Sequence, residues 1–289
     1  MNSLKNRVTE EPKTINRTIQ LNIVPKKPSN NGLNAARCAK KDEFYTQLDD
    51  IEKELKHYKL HFQGKTVFCN CDDPNESNFW RYFEMNFEDL GLKKLISTHY
   101  HESRPTYKQE LFINSKGEKE FVKTNLEQNG DFRSPESIAI LKESDICVTN
   151  PPFSLFREFI AQLIEMEKKF LVIGSINAVT TKEIFPLIKD KKLWIGQSIR
   201  SGDREFRVPN DYPLQASGYR VDDEGNKYIR VKGVRWFTNM DYQDRHKNIT
   251  LCNKYYDEPR KYPTYENFNA INVGRVKDIP TDYKGIMGV

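Results

Sequence analysis

From Phe44 onward, apolar residues recur at alternating four- and three-residue steps: Phe44, Leu48, Ile51, Leu55, Tyr58 and Phe62. This spacing predicts one helical face, closed by Gly64. The pattern then tightens. Residues 65–70 read as a buried strand, 71–76 as a polar turn, 77–87 as a helix with Phe79, Trp80, Phe83 and Phe87 apolar, and 92–98 as a second strand. The unit is β–α–β. Its polar turn follows the first strand, at the end where open α/β sheets bind ligands. Residues 107–125 alternate around Asn114-Ser115-Lys116-Gly117, the pattern of a hairpin. Ser134-Pro135 has the cap and first-turn residues of a helix start. Residues 145–148 form a short apolar run that leads into Asn150. A helix then carries the stripe Leu155, Phe156, Phe159, Ile160, Leu163 and Ile164, with Ser154 as its expected cap. Residues 170–174 and 193–196 read as strands, and 181–190 as a helix in spite of Pro186.

Beyond residue 197 the texture changes. Strand-like alternation covers 217–222 and 227–237, joined by Asp222-Asp223-Glu224-Gly225, and 241–267 is rich in Tyr, Asp, Asn, Lys and Pro. Residues 1–40 are polar and basic, without periodicity, and read as a flexible arm. The expected organisation is an arm (1–40), an α/β catalytic core with helices on both faces of the sheet (41–196), and a region that completes the sheet and reads a target (197–289).

The bulk numbers narrow the class only mildly. The chain has 289 residues, 37% of them hydrophobic and 12% aromatic, with 46 Lys and Arg against 41 Asp and Glu. Mean hydropathy is −0.76 and the sequence pI about 8.7. This permits contact with nucleic acid without demonstrating it. No stretch approaches a membrane span and no signal peptide opens the chain, so a soluble, cytoplasmic protein is expected. Cys38, Cys69, Cys71, Cys147 and Cys252 are odd in number and scattered, which fits a reducing compartment. Their spacing offers no metal site.

Thr149-Asn150-Pro151-Pro152-Phe153 carries the chemistry. An aromatic amine such as adenine N6 is a poor nucleophile, because its lone pair is delocalised into the ring. The Asn150 carboxamide oxygen and the Pro151 carbonyl can each accept one N–H, which aims the lone pair at a methyl donor. The prolines fix φ and remove competing donors. Phe153 supplies a flat face for the base. Acceleration then comes from positioning and oriented dipoles. An ordinary Asn-Pro turn is the competing reading. No Pro-Cys dipeptide occurs, which argues against covalent attack on a cytosine ring.

The usual donor cradle is a glycine-rich turn after the first strand. Here the turn is Asn70-Cys71-Asp72-Asp73-Pro74, with no glycine. Asp72 or Asp73 can bind the ammonium group of S-adenosylmethionine, or merely cap the turn. Asp131 can accept from the cofactor's adenine amino group, with Phe132 against its ring, or be a turn residue. At the end of the second strand, where a carboxylate would hold ribose hydroxyls, stand only Ser97, Thr98 and His99.

Together, residues 41–47 (Lys-Asp-Glu-Phe-Tyr-Thr-Gln), 67–74 (Val-Phe-Cys-Asn-Cys-Asp-Asp-Pro), Asn78-Phe79, Tyr82-Phe83 and Thr149–Phe153 resemble the EcoRI-type adenine-specific DNA methyltransferases. The resemblance spans 41–289. It implies a Rossmann-like S-adenosylmethionine-dependent sheet, with target recognition towards the carboxyl terminus. It further implies methyl transfer to N6 of an adenine flipped out of double-stranded DNA, in a restriction–modification or orphan setting, with a cognate endonuclease as possible companion. By position, Asn150, Pro151, Pro152 and Phe153 would be catalytic, and Phe44, Tyr45, Thr46, Asn70, Cys71, Asp72, Asp73 and Asp131 would line the cofactor site. Recognition residues do not carry over. In that region Arg200, Arg204 and Arg207 surround a glycine turn, and Arg230, Lys232 and Arg235 form a basic stripe on one predicted strand; both can grip DNA or be solvated surface. Methylation of RNA or of a protein glutamine, and a non-catalytic DNA-binding relative, are the alternatives.

Overall fold

The computed structural model describes residues 44–101, 105–210, 212, 218–247 and 250–288; the expected arm lies outside them. The first half supplies β1 (Tyr45–Thr46), α1 (Leu48–Leu55), β2 (Thr66–Cys69), α2 (Asn78–Met85), β3 (Lys94–Thr98), β4 (Tyr107–Ile113), β5 (Lys119–Asn125), α3 (Pro135–Glu143) and β6 (Ile146–Thr149). Then follow α4 (Phe156–Glu165), β7 (Lys169–Ser175), α5 (Phe185–Lys189), β8 (Trp194–Ile195), β9 (Asp203–Val208), β10 (Tyr219–Val221), β11 (Lys227–Lys232), β12 (Val234–Thr238), β13 (Thr264–Tyr265), β14 (Phe268–Asn272) and β15 (Ile286–Gly288).

Eight strands form the main sheet in the order β5-β4-β3-β2-β6-β7-β12-β8. β3, β2, β6 and β7 run parallel. The outer pairs are antiparallel. Residues alternate across the pleat. Val67 and Cys69 of β2 join Ile51 and Leu55 of α1 and Phe79, Trp80 and Phe83 of α2 in one core. Phe68 faces the opposite core, with Leu141 of α3 and Phe156, Phe159, Ile160 and Leu163 of α4. Helices therefore cover both faces, which is why the central strands are apolar throughout. A four-stranded antiparallel sheet, β1-β9-β11-β10, shares the first of these cores through Phe206, Val208, Ile229 and Val231. A third sheet, β13-β14-β15, has its own small cluster of Tyr262, Ile271 and Val273.

Several expectations are corrected. The periodic run 44–62 is not one helix. Tyr45–Thr46 is a strand paired with Phe206 and Arg207, α1 is eight residues long, and Lys59–His61 is a 3-10 turn. All the predicted apolar positions except Leu48 are nonetheless buried. Ser154 does not cap α4: residues Phe153–Leu155 form a 3-10 turn, and the cap position is Leu155. The helix at 181–190 shrinks to Phe185–Lys189, because Pro186 has no N–H to continue a longer one and sits in the first turn. The stretch 227–237 is two strands in two different sheets, broken at Gly233 with φ +68°.

Candidate active site

Strand order turns back between β2 and β6, since β3 lies beyond one and β7 beyond the other. The carboxyl ends of adjacent parallel strands open a crevice at such a switch point. Both sequence motifs lie there: residues 70–73 follow β2, and residues 150–153 follow β6.

The turn after β2 does without glycine at a backbone cost. Cys71 has φ +74°, the left-handed region that a side chain disfavours. It stands where a glycine would ordinarily be used. Asp72 is buried at 7% exposure. Its Oδ1 accepts from the Ser77 hydroxyl at 2.8 Å, and its Oδ2 meets the Thr149 hydroxyl. The Asn150 backbone N–H also points to this carboxyl group. Burial outweighs these bonds and pushes the Asp72 carboxyl up to about 7. Asp73 is more open; its Oδ1 accepts from the Tyr107 hydroxyl at 2.8 Å and from the Asn75 N–H at 2.9 Å, while Oδ2 lies 3.5 Å from His99 Nε2.

Asn150 is 8% exposed. Its amide nitrogen donates to the Phe44 carbonyl at 2.5 Å. Its Oδ1 is buried and has no partner among the described residues. The Asn70 amide nitrogen and the Thr46 hydroxyl are likewise buried without partners. Unsatisfied buried polar atoms are costly, and each calls for an explanation. Asn78 pins the neighbouring segment by donating from Nδ2 to the Thr46 carbonyl at 2.7 Å. Phe44–Thr46 is thus strapped over the crevice by two asparagines and by β9.

Phe153 is half-buried. Its ring meets Phe44 edge-on at 5.7 Å and Phe206 at 6.5 Å, and Phe44 also contacts Tyr212. Pro151 is buried and Pro152 half-buried. The predicted catalytic block and the residues at 44–46 and 70–73 therefore come together. Asp131 and Phe132 are engaged differently from expectation. Arg133 forks onto the Asp131 carboxylate at 2.8 and 2.6 Å, and the Phe132 ring is in the core, edge-on to Phe159 at 5.0 Å. Their loop packs on the end of β3: a Cβ on Gly130 (φ +73°) would lie 2.3 Å from the His99 carbonyl oxygen. Ser97 and Thr98 point inward, towards the Cys69 carbonyl and the Asn70 side chain, so His99 is the more open residue at that strand end.

The basic candidates divide. Ile229 and Val231 are buried while Arg230 and Lys232 between and beyond them are exposed. Cross-strand register places Arg207 and Glu205 on that same outer face. Arg207 pairs with Glu76 and stacks over Tyr45 at 5.2 Å. Arg204 is on the other face, 3.6 Å from Asp50. Arg235 belongs to the main sheet, and Arg200 is exposed on the loop before β9. Sequence reasoning missed Arg220, which forks onto Glu205 and lies 4.1 Å from the Tyr228 ring; a short strand opposite β11 was the available signal. It also gave no role to Ser77 or Thr149, whose hydroxyls tie Asp72 to the start of α2 and to the end of β6 respectively. Their positions beside the two motifs were the only clue.

The profile of the family described as adenine-specific methyltransferase EcoRI matches residues 32–289. Type II methyltransferase M.EcoRI of Escherichia coli is 46% identical over 274 residues, covering 90% of this chain and 84% of its own. M.MpnI of Mycoplasma pneumoniae is 40% identical (89% and 79% covered), and M.MgeORF184P of Mycoplasma genitalium 39% (89% and 80%). No solved structure matches significantly. With the Asn-Pro-Pro-Phe block at the switch point of its sheet, this chain belongs to the EcoRI family of adenine-specific methyltransferases and is a site-specific DNA adenine methyltransferase.

Proposed function

We propose that the acceptor is the N6 amino group of an adenine flipped out of double-stranded DNA, and that the methyl donor is S-adenosylmethionine held on a Rossmann-like sheet. The observation that carries this reading is the buried, unpartnered Asn150 Oδ1. An amino N–H is the group it lacks. The Pro151 carbonyl accepts the second N–H, and Phe153 stacks on the ring. An adenine paired within the duplex cannot reach this crevice, so flipping is required.

The residues present fit the donor. Thr46 Oγ1 and Asn70 Nδ2 are buried beside the crevice without partners among the described residues, and Asp73 is a half-buried carboxylate there. Phe44, Tyr45, Thr46, Asn70, Cys71 and Asp73 would hold it, with Asp131 at the rim. When bound, S-adenosylmethionine supplies an electrophilic methyl group. The protein orients the amine, excludes water with the Phe44, Phe153, Phe206 and Tyr212 cluster, and needs no base beforehand. Residues 41–196 act as the core and 197–289 as sheet completion and recognition region, with Arg200, Arg230, Lys232 and Arg235 towards DNA. The setting is a cytoplasmic modification enzyme, alone or beside a cognate endonuclease.

The test is transfer from methyl-labelled S-adenosylmethionine to duplex DNA, followed by digestion to nucleosides. Label in N6-methyldeoxyadenosine supports the reading. Label in RNA or in protein glutamine, with none in DNA, overturns it.

A further inference from the structure

We propose that Asp72 is a positioning residue which fixes the Asn150 loop through Thr149, and not the ligand of the cofactor's ammonium group. The inference rests on the methyl-transfer reading of this crevice.

Counting hydrogens carries it. Thr149 Oγ1 meets two oxygens, the Asn70 carbonyl and Asp72 Oδ2, yet it has one hydrogen. The Asn70 carbonyl can only accept. Both contacts are satisfied when Asp72 donates to Thr149 and Thr149 donates to Asn70. Asp72 Oδ1 then accepts from Ser77, and the Asn150 backbone N–H completes the set. Three partners from the protein, Ser77, Thr149 and Asn150, thus engage this carboxyl group. Ser97 adds a bond from β3 to the Asp72 backbone carbonyl. The group thus links the turn after β2, the cap of α2 and the end of β6. The reacting oxygen, Asn150 Oδ1, is one residue from that knot. A neutral, enclosed carboxyl group is a poor partner for an ammonium ion; the half-open Asp73 beside it is a better one.

The experiment compares full-length Asp72→Asn, Asp72→Ala and Thr149→Val with the parent. Cofactor Kd is measured by calorimetry, kcat and KM on duplex DNA, and folding by thermal melting. Asparagine keeps an acceptor for Ser77 and Asn150 and a donor for Thr149. Asp72→Asn is expected to stay within about 3-fold of the parent in kcat and in cofactor Kd, because the hydrogen-bond set survives. Asp72→Ala and Thr149→Val are expected to lose about 100-fold in kcat, as misplacement by an ångström does, with cofactor Kd little changed. If Asp72→Ala does not fold, Thr149→Val and Asp72→Asn decide. A tenfold or larger rise of cofactor Kd in Asp72→Asn, the expected result of removing a charged partner, overturns the proposal. So does unchanged kcat in Thr149→Val. The Kd comparison holds whatever the methyl acceptor, so its failure is distinct from failure of the site reading, which shows as absence of N6-methyladenine in the parent.

Discussion

In the proposed mechanism, Asn150 and Phe153 divide the work on the base. Asn150 is committed on its amide side to the Phe44 carbonyl, so its oxygen faces the crevice without rotating. Phe153 is held edge-on by Phe44 and Phe206, and in that mechanism its face would take the adenine. Replacing Phe153 by Ala should lower kcat/KM by about 1–3 kcal/mol, the range of one base–aromatic stack, and Phe153→Tyr should restore most of it. Steady-state kinetics on a duplex substrate would check this; equal loss in both variants would point to packing instead. Asp72 makes a separate prediction for stability. Its carboxyl group titrates near 4 in the unfolded chain and at about 7 when folded. Between those values the folded state retains a proton that the unfolded state releases, so stability falls as pH rises through that window and levels above it. The nearby charge is Asp73, which disfavours a second anion; the Cys69 and Cys147 thiols are pushed up by burial and remain neutral. Asp72→Asn should lack this fall, so its melting temperature should gain on the parent between about pH 5 and pH 8. A constant offset across that range would contradict the assignment.

Among elements, the β2–α2–β3 unit and its turn were legible because each signal was local: an apolar run, a polar turn and an amphipathic helix. The cap itself, Ser77, whose Oγ accepts from the Phe79 N–H at 3.1 Å, was not read from the sequence. The run from 44 to 62 misled for a physical reason. A three-and-four spacing buries one face whether or not the backbone between is a continuous helix. What makes Tyr45–Thr46 extended is pairing with β9, more than 150 residues away, which no local pattern reveals. The split at Gly233 could have been read, since an isolated glycine in a strand pattern marks a break. A Cβ there would lie 2.9 Å from Ile176 Cγ2. The site motifs were legible as motifs. The hydroxyl contact that connects them was not, because Thr149 meets Asp72 only once β2 and β6 are neighbours; the Ser77 contact stays within the turn itself. The turn itself offers a test at this scale. Cys71 bears the left-handed conformation that glycine elsewhere provides, at a cost of about 1–2 kcal/mol. Cys71→Gly should therefore be tolerated, and Cys71→Val should destabilise the fold by at least that amount, measured by denaturant unfolding. Equal stability of the two would show that the turn relaxes freely.

For the whole molecule, the small antiparallel sheet joins the aromatic cluster to a basic outer surface. Its inner face places Phe206 against Phe44 and Phe153, and its outer face carries Arg230, Lys232 and Arg207. In the proposed reading, recognition and chemistry would take two sides of the same strands. The net charge of the chain is only +5, so binding depends on where the cations cluster more than on the total. Arg230→Ala and Lys232→Ala should each reduce the slope of log affinity against log salt by about 1 if they contact phosphates, and weaken binding to all sequences alike. An unchanged slope would place them outside the interface. The central claim is that Asn150 aims an adenine amino group for methyl transfer. The most direct measurement is modified-base mapping of DNA from cells expressing this chain beside cells expressing Asn150→Ala. N6-methyladenine at one short motif, absent from the variant while the variant still binds DNA and cofactor, is the predicted result. Methylation that persists in the variant, or none in the parent, would contradict the account.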